Sequence, residues 1–190
     1  MTKIALFASG NGTNAENIVK YFSKNPEIRV SMIISNNSKA YVHQRAKSLS
    51  IPSYTFSKDK FNDGEDILEI LRQNRIDFIV LAGFLLKIPS SLIEKFPNKI
   101  INIHPALLPK HGGKGMFGDM VHKKVIEVGD TKSGITIHYV NEKYDEGEII
   151  FQKSCTINPQ DSYKEVATKV HALEYKHFPR IIEDVILGNI

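Results

Sequence analysis

One cysteine, Cys155, stands in a chain of 190 residues, so no intramolecular disulfide can form and a reducing, cytoplasmic setting is expected. Its neighbours, Gln152 to Ile157, alternate like a strand, which makes Cys155 a packing residue rather than a nucleophile. No apolar run is long enough to span a bilayer, and Ile4 to Ala8 is too short for a signal-peptide core, so no membrane attachment is expected. Low-complexity tracts are missing. So is a basic arm: 25 Lys and Arg against 21 Asp and Glu are dispersed, for a net charge of +4. The pI near 9.0 suits an anionic small ligand as well as nucleic acid, and an ordinary solvated surface also accounts for it. A nucleic-acid partner would need a clustered basic face or stacking aromatics, and neither is present. Seven histidines are scattered without ligand spacing, so no metal is expected.

What is there is a 42% apolar chain that fits one full-sized domain over residues 1–190. Ile4 to Ala8 reads as a strand buried on both faces, followed by Ser9-Gly10-Asn11-Gly12-Thr13-Asn14 and a helix with Ala15, Ile18, Val19 and Phe22 at helical spacing. Thr13 and Glu16 have capping-box spacing at its start. Ile28 to Ile34 reads as a strand, Ala40 to Leu49 as a helix, Tyr54 to Phe56 as a weak edge strand, and Ile67 to Leu71 as part of a third helix. Phe78 to Gly83 is the most strongly buried strand, and Pro89 begins a short helix. Met120 to Val128 is helical by its valines, and His122 on it can face the crevice, though a surface position is the favoured reading. Ile135 to Val140 and Glu148 to Gln152, joined without a helix, should add antiparallel to the sheet edge. Ser162 and Glu165 open a long C-terminal helix in which Pro179 should mark a kink or break. The fold class is therefore α/β, a doubly wound, mostly parallel sheet with antiparallel C-terminal strands and a long C-terminal helix.

In such a sheet ligands sit beyond the C-terminal strand ends, which gathers Gly10 to Asn14, Phe84 to Ile88 and Asn102 to His104 around one crevice. The first turn offers free backbone N–H groups and a helix dipole to an anion, although a tight turn that merely needs glycine reads the same way. It lacks the third glycine of G-x-G-x-x-G, since residue 15 is Ala, and no acidic residue follows Ile34; a phosphate fits better than a dinucleotide. Asn102 and His104, two apart in a strand, point the same way. An amide can donate to a developing oxyanion and an imidazole can donate or carry a proton, a set that acyl transfer to an amine can use. A lone His before Pro, and Asp145 in a turn, are each ordinary structural residues by themselves. The four glycines between Gly112 and Gly118 allow either a plain flexible loop or one that closes over a ligand.

Ser9-Gly10-Asn11-Gly12-Thr13-Asn14, Leu81-Ala82-Gly83-Phe84, Asn102-Ile103-His104-Pro105-Ala106-Leu107-Leu108-Pro109 and Tyr144-Asp145-Glu146-Gly147, in this order, resemble the phosphoribosylglycinamide formyltransferase branch of the folate-dependent formyltransferases. The resemblance implies a Rossmann-like formyltransferase fold in which 1–100 is the phosphate-binding half and 101–190 the catalytic and folate-binding half. It implies transfer of formyl from 10-formyltetrahydrofolate, a co-substrate, to the amine of phosphoribosylglycinamide in purine biosynthesis, without a metal. Asn102, His104 and Asp145 would be catalytic, with Asp145 favouring the charged form of His104. Gly12, Thr13, Asn14 and Glu174 would bind the ribonucleotide, although Glu174 also reads as a solvated helix face. Leu85, Leu86, Lys87 and Ile88, with Asn102, would bind folate. Many members carry Met-Arg after the Phe where this chain has Leu85-Leu86, and the 61–77 segment is shorter than usual. Partners would be the two small molecules, with no nucleic acid or membrane, in a monomer or homodimer. The extra domains of the methionyl-tRNA and deformylase relatives find no room here. A formyltetrahydrofolate hydrolase and a non-catalytic Rossmann-type nucleotide-binding module are the alternatives.

Overall fold

Strand period two divides the interior between two faces. In β1 (Thr2–Phe7), Ile4, Leu6 and the following Ala8 enter one core, while Ala5 and Phe7 enter the other. The same alternation runs through β4 (Phe78–Leu81) and β5 (Ile100–His104), and through β2 (Ile28–Ser35) with a switch of parity where the register shifts past Ser31, so the central strands read as largely apolar runs. The computed structural model describes residues 1–190. Its seven strands, completed by β3 (Ser53–Thr55), β6 (Lys132–Tyr139) and β7 (Ile149–Thr156), form one sheet in the order β3-β2-β1-β4-β5-β6-β7. The first five pair in parallel; β6 runs antiparallel to β5 although a helix lies between them, and β7 runs antiparallel to β6, to which it is joined without one. The order reverses between β1 and β4, which opens a crevice beyond their C-terminal ends.

The larger core of 27 residues lies under α1 (Thr13–Phe22), α2 (Val42–Ser48), α6 (Asp119–Glu127) and α7 (Tyr163–Leu187). The smaller, of 14, lies under α3 (Lys58–Asp63), α4 (Glu65–Gln73) and α5 (Ser90–Lys95). One helix was expected where α3 and α4 lie. Gly64, at φ 82, splits them, and Phe61 of α3 is fully buried against Phe7 and Phe84.

Two expectations at helix ends are corrected. Thr13 is the first helical residue of α1 rather than its cap. Gly12 takes the cap position at φ 75, where a Cβ would overlap the Val42 side chain, and Glu16 pairs with Lys20 and Arg45 instead of closing a capping box. Helix α7 does not break at Pro179. It carries the Ser162–Glu165 capping box and runs on to Leu187. Pro179 can give no N–H to the carbonyl of Tyr175, but Asn17 Nδ2 donates to that oxygen at 2.9 Å, and the buried Phe178, Ile181 and Ile182 hold both sides of the proline to the core.

Candidate active site

The crevice is a cavity of about 650 Å³, a size suited to small-molecule ligands. One wall is the β1–α1 turn, Gly10 to Asn14, whose left-handed Gly12 leaves the first amides of α1 facing outward without a side-chain cap. Asn14 Nδ2 donates to Glu174 Oε2 at 2.8 Å, joining α1 to α7. Glu174 is 6% exposed, so it is no solvated face; burial raises its carboxyl above the ordinary value, with Asn14 only partly opposing. Asn14 Oδ1 is buried without a partner, a polar atom available to a ligand.

A second wall, beside the first, is the loop after β4. Ser9 Oγ accepts from the Leu85 amide at 2.9 Å and donates to Asn36 Oδ1 at 2.6 Å, which fixes this loop to the first. Leu85 and Leu86 offer an apolar surface over Phe84, and Lys87 stands at the rim. Ile88 does not line the cavity: it lies just before α5, is 3% exposed, and its apolar side chain packs in the smaller core instead.

The floor comes from β5. Asn102 and His104 both line the cavity, and His104 is 3% exposed. His104 Nδ1 lies 3.5 Å from Asp145 Oδ2, and its Nε2 donates to the His111 carbonyl at 2.8 Å. Asp145, in the β6–β7 loop, reaches inward from a left-handed backbone at φ 55, and its Oδ2 also accepts from the Gly113 amide at 2.9 Å. Burial lowers the His104 imidazole; the Asp145 charge and the His111 carbonyl oppose it without reversing it. The net direction is therefore opposite to the expectation that the pair would enrich imidazolium. Burial works against the Asp145 carboxylate too, but the facing His138 and His104 and the Gly113 amide hold it below its ordinary value.

His122 takes the less favoured of the two positions the sequence allowed for it, surface or crevice. It is 1% exposed, lines the cavity beside His171 at a ring separation of 6.1 Å, and has a buried Nδ1 without a partner. Burial, then the neighbouring His171, pushes its imidazole down to about 4. His138, 2% exposed and directly opposite Asn102 in the β5–β6 ladder, was missed as well. A polar residue at alternate spacing in Ile135-Thr136-Ile137-His138 was the available signal, the same one that singled out Asn102 and His104. Thr136 Oγ1 accepts from the Leu108 amide at 3.0 Å and donates to the Ala106 carbonyl at 2.7 Å, holding the turn after His104. Cys155 sits half-buried in β7 against the larger core, and burial raises its thiol, consistent with packing.

The profile of the family described as Formyl transferase matches residues 2–182. The chain belongs to that family. A phosphoribosylglycinamide formyltransferase of Haemophilus influenzae is 36% identical over 195 residues, covering 100% of this chain and 90% of its own length. A chloroplastic phosphoribosylglycinamide formyltransferase of Arabidopsis thaliana is 39% identical over 186 residues, 95% of this chain, and this chain spans only 64% of that longer protein. Among solved structures, a phosphoribosylglycinamide formyltransferase from Anaplasma phagocytophilum superposes with a TM-score of 0.89 at 30% identity, over 98% of this chain and 88% of that one. These relatives lend nothing to the non-catalytic nucleotide-binding alternative. Of the formyltransferase residues anticipated from sequence, Gly12, Thr13, Asn14, Leu85, Leu86, Lys87, Asn102, His104, Asp145 and Glu174 all line the one cavity, and Ile88 alone does not. No group of three or more His, Cys, Asp or Glu side chains is arranged to hold a metal ion, and no helix is long and apolar enough to cross a membrane.

Proposed function

We propose that the chain transfers the formyl group of 10-formyltetrahydrofolate to the amine of phosphoribosylglycinamide, the formyl-folate step of purine biosynthesis. The observation that carries this is the approach of His104 to Asp145, 3.5 Å apart, beside Asn102 in a cavity whose far end is the open N-terminus of α1. The Gly12-Thr13-Asn14 turn would hold the ribonucleotide phosphate, with backbone N–H groups and the helix dipole opposing its charge. Glu174 would accept from the sugar hydroxyls. Leu85 and Leu86 suit the flat pterin, with Lys87 at the rim beside an anionic folate tail. The two ligands would thus lie along different walls and meet over Asn102 and His104.

The folate supplies the one-carbon unit as an electrophilic carbonyl. The amide of Asn102 would donate to its oxygen as negative charge develops there. Neutral His104 would take up the proton shed by the amine. That proton resides on Nδ1, because Nε2–H is already held by the His111 carbonyl, and Asp145 Oδ2 is its counter-ion. The imidazolium so formed stabilises the oxyanion and can return the proton to the departing folate nitrogen.

The domain reading is one unit over 1–190, although the folate wall at 85–87 and Glu174 mean that each half contributes to both ligands. The chain is read as a cytoplasmic monomer or homodimer acting on two small molecules, without nucleic acid, membrane or metal. The test is steady-state release of tetrahydrofolate with and without the ribonucleotide, for the parent, His104→Ala and Asp145→Asn. Ribonucleotide-dependent turnover that collapses in His104→Ala supports the assignment; turnover indifferent to the ribonucleotide removes it.

A further inference from the structure

An asparagine donates to an oxyanion only if its amide is turned the right way, since its oxygen and nitrogen occupy nearly the same shape. The Asn102 Nδ2 lies 3.1 Å from His138 Nε2. His138 Nδ1 lies 2.8 Å from the carbonyl of Tyr139, an oxygen that can only accept, so Nδ1 carries the proton and Nε2 of the neutral ring is a bare acceptor. Only the NH₂ end of Asn102 satisfies that acceptor. The geometry points to His138 as a positioning residue that sets the orientation of the Asn102 amide, turning its nitrogen rather than its oxygen to the reaction. The inference rests on the formyl-transfer reading.

Three features support it. His138 is opposite Asn102 in the antiparallel ladder, so register alone brings the two together. It is 2% exposed, where no water replaces a lost acceptor. The Tyr139 carbonyl that fixes its tautomer is itself confined: a Cβ at Gly147 would overlap that oxygen and come within 3.3 Å of His138 Nδ1. Asp145 Oδ1, the one carboxylate facing this ring, lies 3.7 Å from Nε2, farther than Asn102 Nδ2 at 3.1 Å; a proton on Nε2 would serve Asp145 and turn the Asn102 oxygen to the ring, so the site of that proton decides between the two arrangements. The second N–H of Asn102 has no other hydrogen bond and remains for the substrate.

The test combines a spectroscopic signature with kinetics on the full chain. Nitrogen NMR of the imidazole should show His138 protonated at Nδ1 and bare at Nε2, with hydrogen-bond coupling to the Asn102 side chain; protonation at Nε2 overturns the inference whether or not formyl transfer is found. In transfer assays, His138→Leu should lower kcat about 10²-fold, the scale of a lost oxyanion donor, with KM for either substrate nearly unchanged. His138→Gln, which can still accept from Asn102, should recover most of that loss. Adding His138→Leu to Asn102→Ala should slow the enzyme no further. Additive losses, or a Gln variant as slow as Leu while equally stable, would overturn it.

Discussion

Asn14 and Glu174, separated by 160 positions, are joined by a 2.8 Å hydrogen bond in the wall of the cavity at the start of α1. The acceptor is nearly buried, and burial raises its pKa from the ordinary 4.5. A carboxyl with a raised folded-state pKa binds more protons when folded. Its penalty is therefore small at acid pH and grows as pH rises from the unfolded value through the folded one. Glu174→Gln should thus leave stability at acid pH nearly unchanged and improve it at neutral pH, while weakening the ribonucleotide KM. Urea unfolding across that range, beside KM values, checks both; equal destabilisation at every pH would contradict the assignment.

His104 and Asp145 give a second pH test. Because Asp145 is the charge that opposes the effect of burial on His104, Asp145→Asn should move the imidazole further down. If neutral His104 accepts the proton, the acid limb of kcat/KM then shifts to lower pH even as the plateau falls. His104→Ala should lose about 10²- to 10⁴-fold in kcat. An acid limb that moves upward in Asp145→Asn would reverse the roles given to the pair.

Gly10 and Gly12 stand two residues apart and should respond differently. A Cβ at Gly10 meets nothing within 4 Å, whereas Gly12 is at φ 75 and its Cβ would overlap Val42. Gly10→Ala should change stability little. Gly12→Ala should cost about 1–3 kcal/mol and raise the ribonucleotide KM by moving the α1 amides, as thermal unfolding and initial rates can show.

The fold was legible because it is written in local periods. The buried runs Ile4 to Ala8 and Phe78 to Gly83 and the polar pair Asn102 and His104 announce themselves within a few residues. What was not legible depends on contacts distant in sequence. Nothing near Pro179 tells that Asn17 will satisfy the Tyr175 carbonyl and let α7 continue. Nothing near Thr13 tells that Val42 will fill the space a Cβ at residue 12 would need, beside the left-handed glycine at which α1 starts. His122 looked exposed on a helix that presents Val121 and Val125 inward, yet a neighbour on that same face is drawn under the cavity wall by α7. The direction of the His104 shift was misjudged because the family resemblance pairs Asp145 with His104 but does not show how much water the pair has lost.

Phe61 offers a stability test beneath the loop proposed to hold folate. It is fully buried, with its ring 6.0 Å from Phe7 and 4.8 Å from Phe84. Phe61→Ala should cost roughly 3–5 kcal/mol by chemical denaturation and raise the folate KM, because Phe84 supports Leu85 and Leu86. A loss of stability without any change in folate KM would detach the aromatic cluster from the site.

The fate of the formyl carbon tests the central claim most directly. With isotopically labelled 10-formyltetrahydrofolate and phosphoribosylglycinamide, carbon NMR should show the label appearing as a formamide on the ribonucleotide, at the rate at which tetrahydrofolate is released. Label accumulating as free formate at that same rate, with the ribonucleotide unaltered, would mean that water is the acceptor and that the turn at Gly12, Thr13 and Asn14 does not hold the substrate's phosphate.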